Sequence, residues 1–339
     1  MQRDFHYYSI YTLCRLAGIK PEESEIIAYA SQHTDDAIYS HELTFESGGR
    51  FQQQMSAHKI LDLGIFKKEV GYEILMPFHF LPGLEGDDFF EQIRCRQNSK
   101  TAKAVIEDTL ETLAKPYGLH RLGIALHMYA DTWAHQNFSG LRKPHNEVEA
   151  LKYENRKYSI FEEFGSNIFS ELLPPIGHAQ AFTCPDEPYL VWSYKPHGYE
   201  SVIRIDNLNR FMDAVLHIYE FLSQNIREQM PQIFKEDPKS WKTVEGRVRY
   251  IFAMRGTLEE RVRIWEKKLM EGYFGFRAAV QYDERQWFRR AVTVLDKSAM
   301  KFDKNEEFAY SDWKYFHDGL TVHKFFVKNE LLPRYGIIT

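Results

Sequence analysis

Three residues on one stretch of chain have the types and the spacing to do chemistry together: His127, Asp131 and His135. On a helix turning about 100° per residue, positions i, i+4 and i+8 span only about 80° of arc, so the three side chains share a face. Imidazole nitrogen and carboxylate oxygen are the usual ligands of zinc, iron and manganese. The same stretch turns a second stripe, Leu122, Leu126, Tyr129 and Trp133, towards an apolar core. Gly123, Ala130 and Ala134 flank the polar face and let a neighbouring element approach closely. Arg121 and Asp131 are the formal charges of residues 119–138, which therefore read as buried almost all round. A buried carboxylate requires a cation or several donors, and no Lys or Arg stands one turn from Asp131. Two arrangements satisfy it. Either a divalent metal sits with the two histidines, or Asp131 bridges two neutral imidazoles in a metal-free core; the rarity of the pattern by chance favours the metal.

A helical site with several metals draws ligands from separate elements. His6 lies in the aromatic run Phe5-His6-Tyr7-Tyr8 and reads either as a ligand or as a partly buried capping histidine. Asp35 and Asp36 stand at a helix end, where the dipole disfavours negative charge; a metal would relieve that, as would solvent in an open turn, and the residues do not decide between the two aspartates. His79, inside Met76-Pro77-Phe78-His79-Phe80-Leu81-Pro82, needs a metal or a carboxylate to satisfy its ring. His178 follows Gly177 on a loop able to reach a cleft, and His33 stands near the paired aspartates. His145 and Glu149 have ligand-like spacing, but Lys143, Pro144 and Glu147 make that stretch read as solvated surface. Arg94, Arg96 and Arg142 have the geometry to hold phosphate, although charges on helix faces are usually just solvated.

The run from Leu122 to Phe138 resembles the central helix of the zinc-dependent phospholipase C superfamily, which also holds single-strand-specific nucleases. The likeness rests on His127-x3-Asp131 followed by His135 and Asn137-Phe138. The stretch between Asp131 and His135 is shorter than in the bacterial phospholipases of that group, which returns His135 to the same face. Asp4-Phe5-His6-Tyr7-Tyr8 and Ser31-Gln32-His33-Thr34-Asp35-Asp36 also resemble an uncharacterised bacterial family of this type. The resemblance implies an all-α helical bundle with loop and short β embellishments around two or three metals, zinc first, with iron or manganese as alternatives. It implies that Asp131 bridges metals, that His6, His79, His127, His135 and one of Asp35 and Asp36 supply other ligands, and that a metal-activated water hydrolyses a phosphate ester or phosphodiester. Asp131 and His127 would then be the catalytic centre, with His178 a further candidate ligand. Alternatives are a nucleotide phosphohydrolase of the HD type and a non-catalytic helical protein stabilised by metal.

The rest of the sequence bounds these expectations. Its 339 residues suffice for one large domain, with the metal-site part in about 1–186 and a helical scaffold or lid in about 206–330. Aromatic residues make up 15%, which suits a bulky interior and an aromatic-lined pocket. A net charge of −5 offers no field to gather nucleic acid; the small phosphoester substrate expected as partner is what the resemblance implies. No apolar run reaches the length of a membrane span, and Cys14, Cys95 and Cys184 form no disulfide or zinc pattern, so a reducing cytoplasm is the expected home. No Walker loop, Rossmann fingerprint or nucleophile elbow occurs.

Element signals follow the same chain. Residues 4–17 read as a helix stopped by Gly18, and Pro21 opens another that ends near 31–36. Alternation at Val70, Tyr72, Ile74, Met76 and Phe78 predicts a short strand or extended loop over 69–81. Further helices are expected at 98–114, 119–138, 150–172, 206–229, 238–254, 257–271 and 283–300. Prolines 185, 188 and 196 mark 176–205 as an ordered loop region with a hairpin.

Overall fold

Pro21 opens a helix because its fixed φ suits the first turn, and Glu22 and Glu23 follow where the helix dipole favours negative charge. This helix, α2, covers Pro21–Asp36. Before it lies α1, a wide π-type turn over Asp4–Ser9 that tightens into an α-helix over Ile10–Leu16. Gly18 joins the two with φ +96°, and a Cβ there would lie 2.1 Å from the Glu236 carbonyl oxygen. The structure is a computed structural model and describes residues 1–58, 68–156 and 173–338.

Helix α3 is built from Lys68–Val70, a π-type turn over Gly71–Leu75, and Met76–Phe78. Ser99 caps α4, Lys100–Thr112, by accepting the Ala102 N–H over 3.2 Å. Helix α5, Gly118–Ala134, is buried along its length except at Leu119. Its Arg121 ion-pairs with Asp108 and donates to Thr112 over 2.7 Å, so that buried charge is matched. Gly123 brings α5 against α2: a Cβ there would meet the Ile27 carbonyl oxygen at 2.3 Å and Ala30 Cβ at 2.7 Å. The two elements that carry His127, Asp131 and Asp35 are therefore held in backbone contact.

Strands β1 (Glu42–Thr44) and β2 (Arg50–Gln52) form one hairpin, and β3 (Val148–Tyr153), β4 (Val191–Pro196) and β5 (Ile203–Asp206) form an antiparallel sheet in that order. Helices α6 (Asn207–Phe221), α7 (Trp241–Phe252), α8 (Leu258–Glu271) and α9 (Gln286–Ala291) follow, then the hairpin of β6 (Val292–Asp296) and β7 (Lys301–Lys304), and finally α10 (Asp312–Phe325). A large apolar cluster unites α1, α2, α5 and the C-terminal helices. A smaller one gathers Phe80, Phe138, Ile176, Trp192 and Tyr194 under the three-stranded sheet.

The protein is thus mostly helical, but it is mixed rather than all-α, with three small antiparallel sheets among the described residues. Residues 69–78 belong to helix α3 and not to a strand, with 79–81 leaving it: Val70, Ile74 and Phe78, four apart, are all buried, and Leu75 joins them. The helix expected over 150–172 is instead a strand at its start, and residues 157–172 lie outside the described residues. Strand β3 carries a bulge, where Ala150 at φ +50° inserts an extra residue and leaves the buried Val148 and Leu151 three apart. The helix expected over 283–300 stops at Ala291, where the β-branched Val292-Thr293-Val294 turns into β6. No described helix is long and apolar enough to cross a membrane.

Candidate metal centre

Helix α5 delivers His127 and Asp131 from its interior and ends at Ala134, so His135 stands as its C-cap rather than within it. His6 arrives from the π-type turn of α1, where the wider backbone spiral presents its ring over His127, centroid to centroid 3.8 Å. Asp35 comes from the last turn of α2, and His79 from the end of α3. His178 and Asp186 come from the short turns between β3 and β4. Asn207 secures that second segment, donating to the carbonyls of Cys184 (2.6 Å) and Glu187 (2.8 Å) while accepting from Trp192 (3.0 Å).

Asp131 is the hub. Its Oδ1 lies 3.2 Å from His6 Nε2 and 2.5 Å from the Met1 amino nitrogen. Its Oδ2 lies 3.3 Å from both His79 Nδ1 and His127 Nε2. Asp35 Oδ1 is 3.6 Å from His127 Nε2 and 3.8 Å from His79 Nδ1. On the other flank, Asp186 Oδ1 stands 3.4 Å from His135 Nε2, and its Oδ2 stands 3.5 Å from His178 Nε2. Among the described residues three groups have the ligand types and closeness to hold an ion: His6, His127 and Asp131; Asp35, His79 and His127; and His135, His178 and Asp186. Within each, all ligand atoms lie within 4.8 Å of one another.

Backbone carbonyls fix which nitrogen of three histidines faces inward. His79 Nε2 is 2.9 Å from the Ser56 carbonyl oxygen, His135 Nδ1 is 2.9 Å from that of His79, and His178 Nδ1 is 2.8 Å from that of Phe182. A carbonyl only accepts, so those nitrogens carry the proton. In a neutral ring of that tautomer the opposite nitrogen is a bare lone pair. Asp131 and Asp35 hold His79 above the ordinary imidazole value against burial, but in His178, which burial keeps neutral, that lone pair stands 3.5 Å from Asp186 Oδ2. Acceptor facing acceptor is a favourable arrangement only with a cation between them. The Phe182 carbonyl is aimed by an uncommon backbone conformation, φ +52° and ψ −131°.

Orphaned atoms tell the same story. Among the described residues neither ring nitrogen of the fully buried His6 has a well-formed hydrogen bond; Asp131 Oδ1 lies 3.2 Å from its Nε2. Asp186 Oδ1 is likewise buried without one. Burial pushes His127 and His178 down to about 4, so both are neutral at pH 7. Burial also lowers His6, with His127 adding to the effect. For Asp131 and Asp186 burial acts upward but is outweighed. His135, the Met1 amine and His127 hold Asp131 well below the ordinary carboxylate range, and the Met1 amine, His178 and His135 do the same for Asp186. Asp35 goes the other way: burial, with Asp131 beside it, pushes its carboxyl up to about 8 against the pull of His79. These residues fit a divalent cation in number and type.

The structure brings together seven of the residues singled out from the sequence: His6, Asp35, His79, His127, Asp131, His135 and His178. Asp36 is not among them; it turns away to accept from Tyr282 Oη (2.5 Å) and Gln32 (3.2 Å). Adjacent helical residues point about 100° apart, so only one of the pair faces the cluster. His33 is also outside it, 3.2 Å from Tyr282 Oη. His145 is buried rather than solvated, bonded to Ser139 Oγ at 2.8 Å, while Glu149 pairs with Lys195. Arg94 and Arg96 are occupied by Glu91. Sequence reasoning missed Asp186, whose one signal was an acid following Cys184-Pro185 in a turn-forming stretch close to His178.

A cavity of about 490 Å³ opens onto the cluster, with His79, Asp131, His135, His178 and Asp186 on one side and Leu75, Phe80, Ile176 and Phe182 on the other. Among curated proteins and solved structures, none matches the chain. Residues 1–331 match DUF6765, a family of unknown function, and the chain belongs to that family.

Proposed function

We propose that the protein is a metal-dependent hydrolase acting on a phosphate ester or phosphodiester, with its ions held in the three His/Asp groups around Asp131. The observation that carries this reading is the convergence of His79 Nδ1, His135 Nε2 and His178 Nε2 upon the carboxylates of Asp35, Asp131 and Asp186, each ring held at its other nitrogen by a backbone carbonyl. The helical arrangement around the cluster supports kinship in fold with the zinc-dependent phospholipase C and nuclease group, as the motif on α5 suggests. Zinc suits the donor set best, with iron or manganese as alternatives.

Divalent ions there would polarise a phosphoryl oxygen and supply a water acidic enough to act near neutral pH. The chain's own groups do the rest. Asp131 and the histidines set the separation of the ions, and the carbonyls of Ser56, His79 and Phe182 keep the rings from turning. Asp35, on the wall of the cavity, would serve as a ligand together with His79 and His127. The open cavity favours catalysis over a purely structural role, because structural sites are closed.

Metal analysis by mass spectrometry tests this first. Wild-type protein should carry two or more ions per chain, Asp131→Ala fewer, and the loaded protein should hydrolyse a member of a panel of phosphomonoesters and diesters. Metal-free protein that resists reloading would overturn the metal centre, and a loaded protein inert across the panel would overturn the hydrolase.

A further inference from the structure

A second cavity of about 490 Å³ reaches the metal-ligand set from another direction. Met1 and Asp35 line both cavities, and Arg3, Gln32, Asp36 and Tyr282 complete the wall of the second. The acids around it are already engaged: Asp36 by Tyr282 and Gln32, Asp283 by Arg289, and Glu284 by Arg285 at 3.5 Å. Arg3 is different. Among the described residues no hydrogen bond or ion pair holds it, and its Nε is buried with no partner. Its neighbours along the chain are committed, Gln2 and Asp4 both to Arg261. Asp36 lies near enough to feel the charge of this half-withdrawn guanidinium, but no described carboxylate is in contact with it, and its planar fork of donors matches two oxygens of a phosphoryl group.

We propose that Arg3 is the anion clamp of this site, taking two non-bridging oxygens of the substrate's phosphoryl group and holding it beside Asp35. The proposal rests on the phosphoester reading above and deepens it: Arg3 acts on substrate binding and on none of the ions. It also selects for substrates that present two unesterified phosphoryl oxygens, as phosphomonoesters and diesters do and triesters do not.

The test is calorimetric titration of inorganic phosphate into the metal-loaded full chain, wild type against Arg3→Gln and Arg3→Lys, with metal counted in each sample. Loss of paired charge-assisted bonds predicts phosphate binding weakened about tenfold or more in Arg3→Gln, less in Arg3→Lys, with unchanged metal content. With p-nitrophenyl phosphate as substrate, the expected change is a raised KM with a smaller change in kcat. Equal phosphate affinity in wild type and Arg3→Gln would overturn the clamp while leaving the hydrolase intact. Loss of metal from Arg3→Gln would also overturn it, by making Arg3 structural. Loaded wild-type protein that neither binds phosphate nor cleaves any phosphoester would remove the underlying reading instead.

Discussion

The ring of His135 is oriented by the backbone of His79: its Nδ1–H donates to the His79 carbonyl oxygen over 2.9 Å. The side chain of His79 meanwhile faces Asp35, His127 and Asp131. One residue thus belongs to one ligand group by its side chain and disciplines another by its main chain. His79→Ala should therefore strip an ion from the Asp35 side while leaving His135 in place. Asp186→Asn should do the converse, releasing the ion of the His135 and His178 group and sparing the other. Metal counts on both variants check this, and equal loss from both would show that the groups fill only as a unit.

The two adjacent aspartates at the end of α2 should separate cleanly. Asp35→Asn removes a ligand atom 3.6 Å from His127 Nε2 and is expected to lose metal and activity together. Asp36→Asn keeps an acceptor for Tyr282 and should retain both. Its cost is expected in stability alone, about 1 kcal/mol from the weaker hydrogen bond, read from urea unfolding. Retained metal in Asp35→Asn would contradict the assignment.

Gly123→Ala tests the contact that sets the distance between α2 and α5. The added methyl would meet the Ile27 carbonyl oxygen at 2.3 Å, and backbone cannot rotate out of the way. Overpacking of this kind typically costs about 1–3 kcal/mol. Because α2 carries Asp35 and α5 carries His127 and Asp131, metal affinity should fall with stability. A variant that is destabilised yet binds metal as before would mean that the helix spacing does not govern the site.

Acid should weaken the fold through buried histidines outside the three ligand groups. Burial pushes His317 and His323 down to about 3, with His33 contributing to the first. Protonation of His317 also destroys the acceptor for the Gln54 N–H, 3.0 Å away. A depressed folded pKa gives stability that is present above the unfolded value, about 6.5, and lost as pH falls from there towards 3. Each such group contributes up to about 1.4 kcal/mol per pH unit across that window. Asp131 and Asp186, held low in the folded state, add a loss of the same sign at lower pH. Urea unfolding of metal-free protein at pH 7.5 and pH 5 should show the fall, and His317→Gln should make it shallower; a flat profile would refute it.

How far the sequence carried depended on whether the signal was local. The buried α5, the break at Gly18 and the start at Pro21 are all written in adjacent residues, and so is the shared face of His127 and Asp131. His6 and His79 stood out as polar residues inside apolar runs. Asp186 did not, because its role is made by Asn207 and Trp192 clasping a distant turn, a relationship with no local mark. Residues 69–81 misled for a related reason: alternating apolar residues fit a strand, while burial at Val70, Ile74 and Phe78 follows a helical face that includes a π-type turn.

The carbonyls of Ser56, His79 and Phe182 have a consequence for how such a centre can drift. Three ring orientations are enforced by main-chain atoms, which every amino acid supplies, so the enforcing positions are free to change identity provided the backbone path is kept. At residue 56 or 182 a relative can differ in side chain and preserve the ring tautomers unchanged. The heritable part of that layer is a shape of chain, and its vulnerable substitutions are those that redirect the path itself, proline above all.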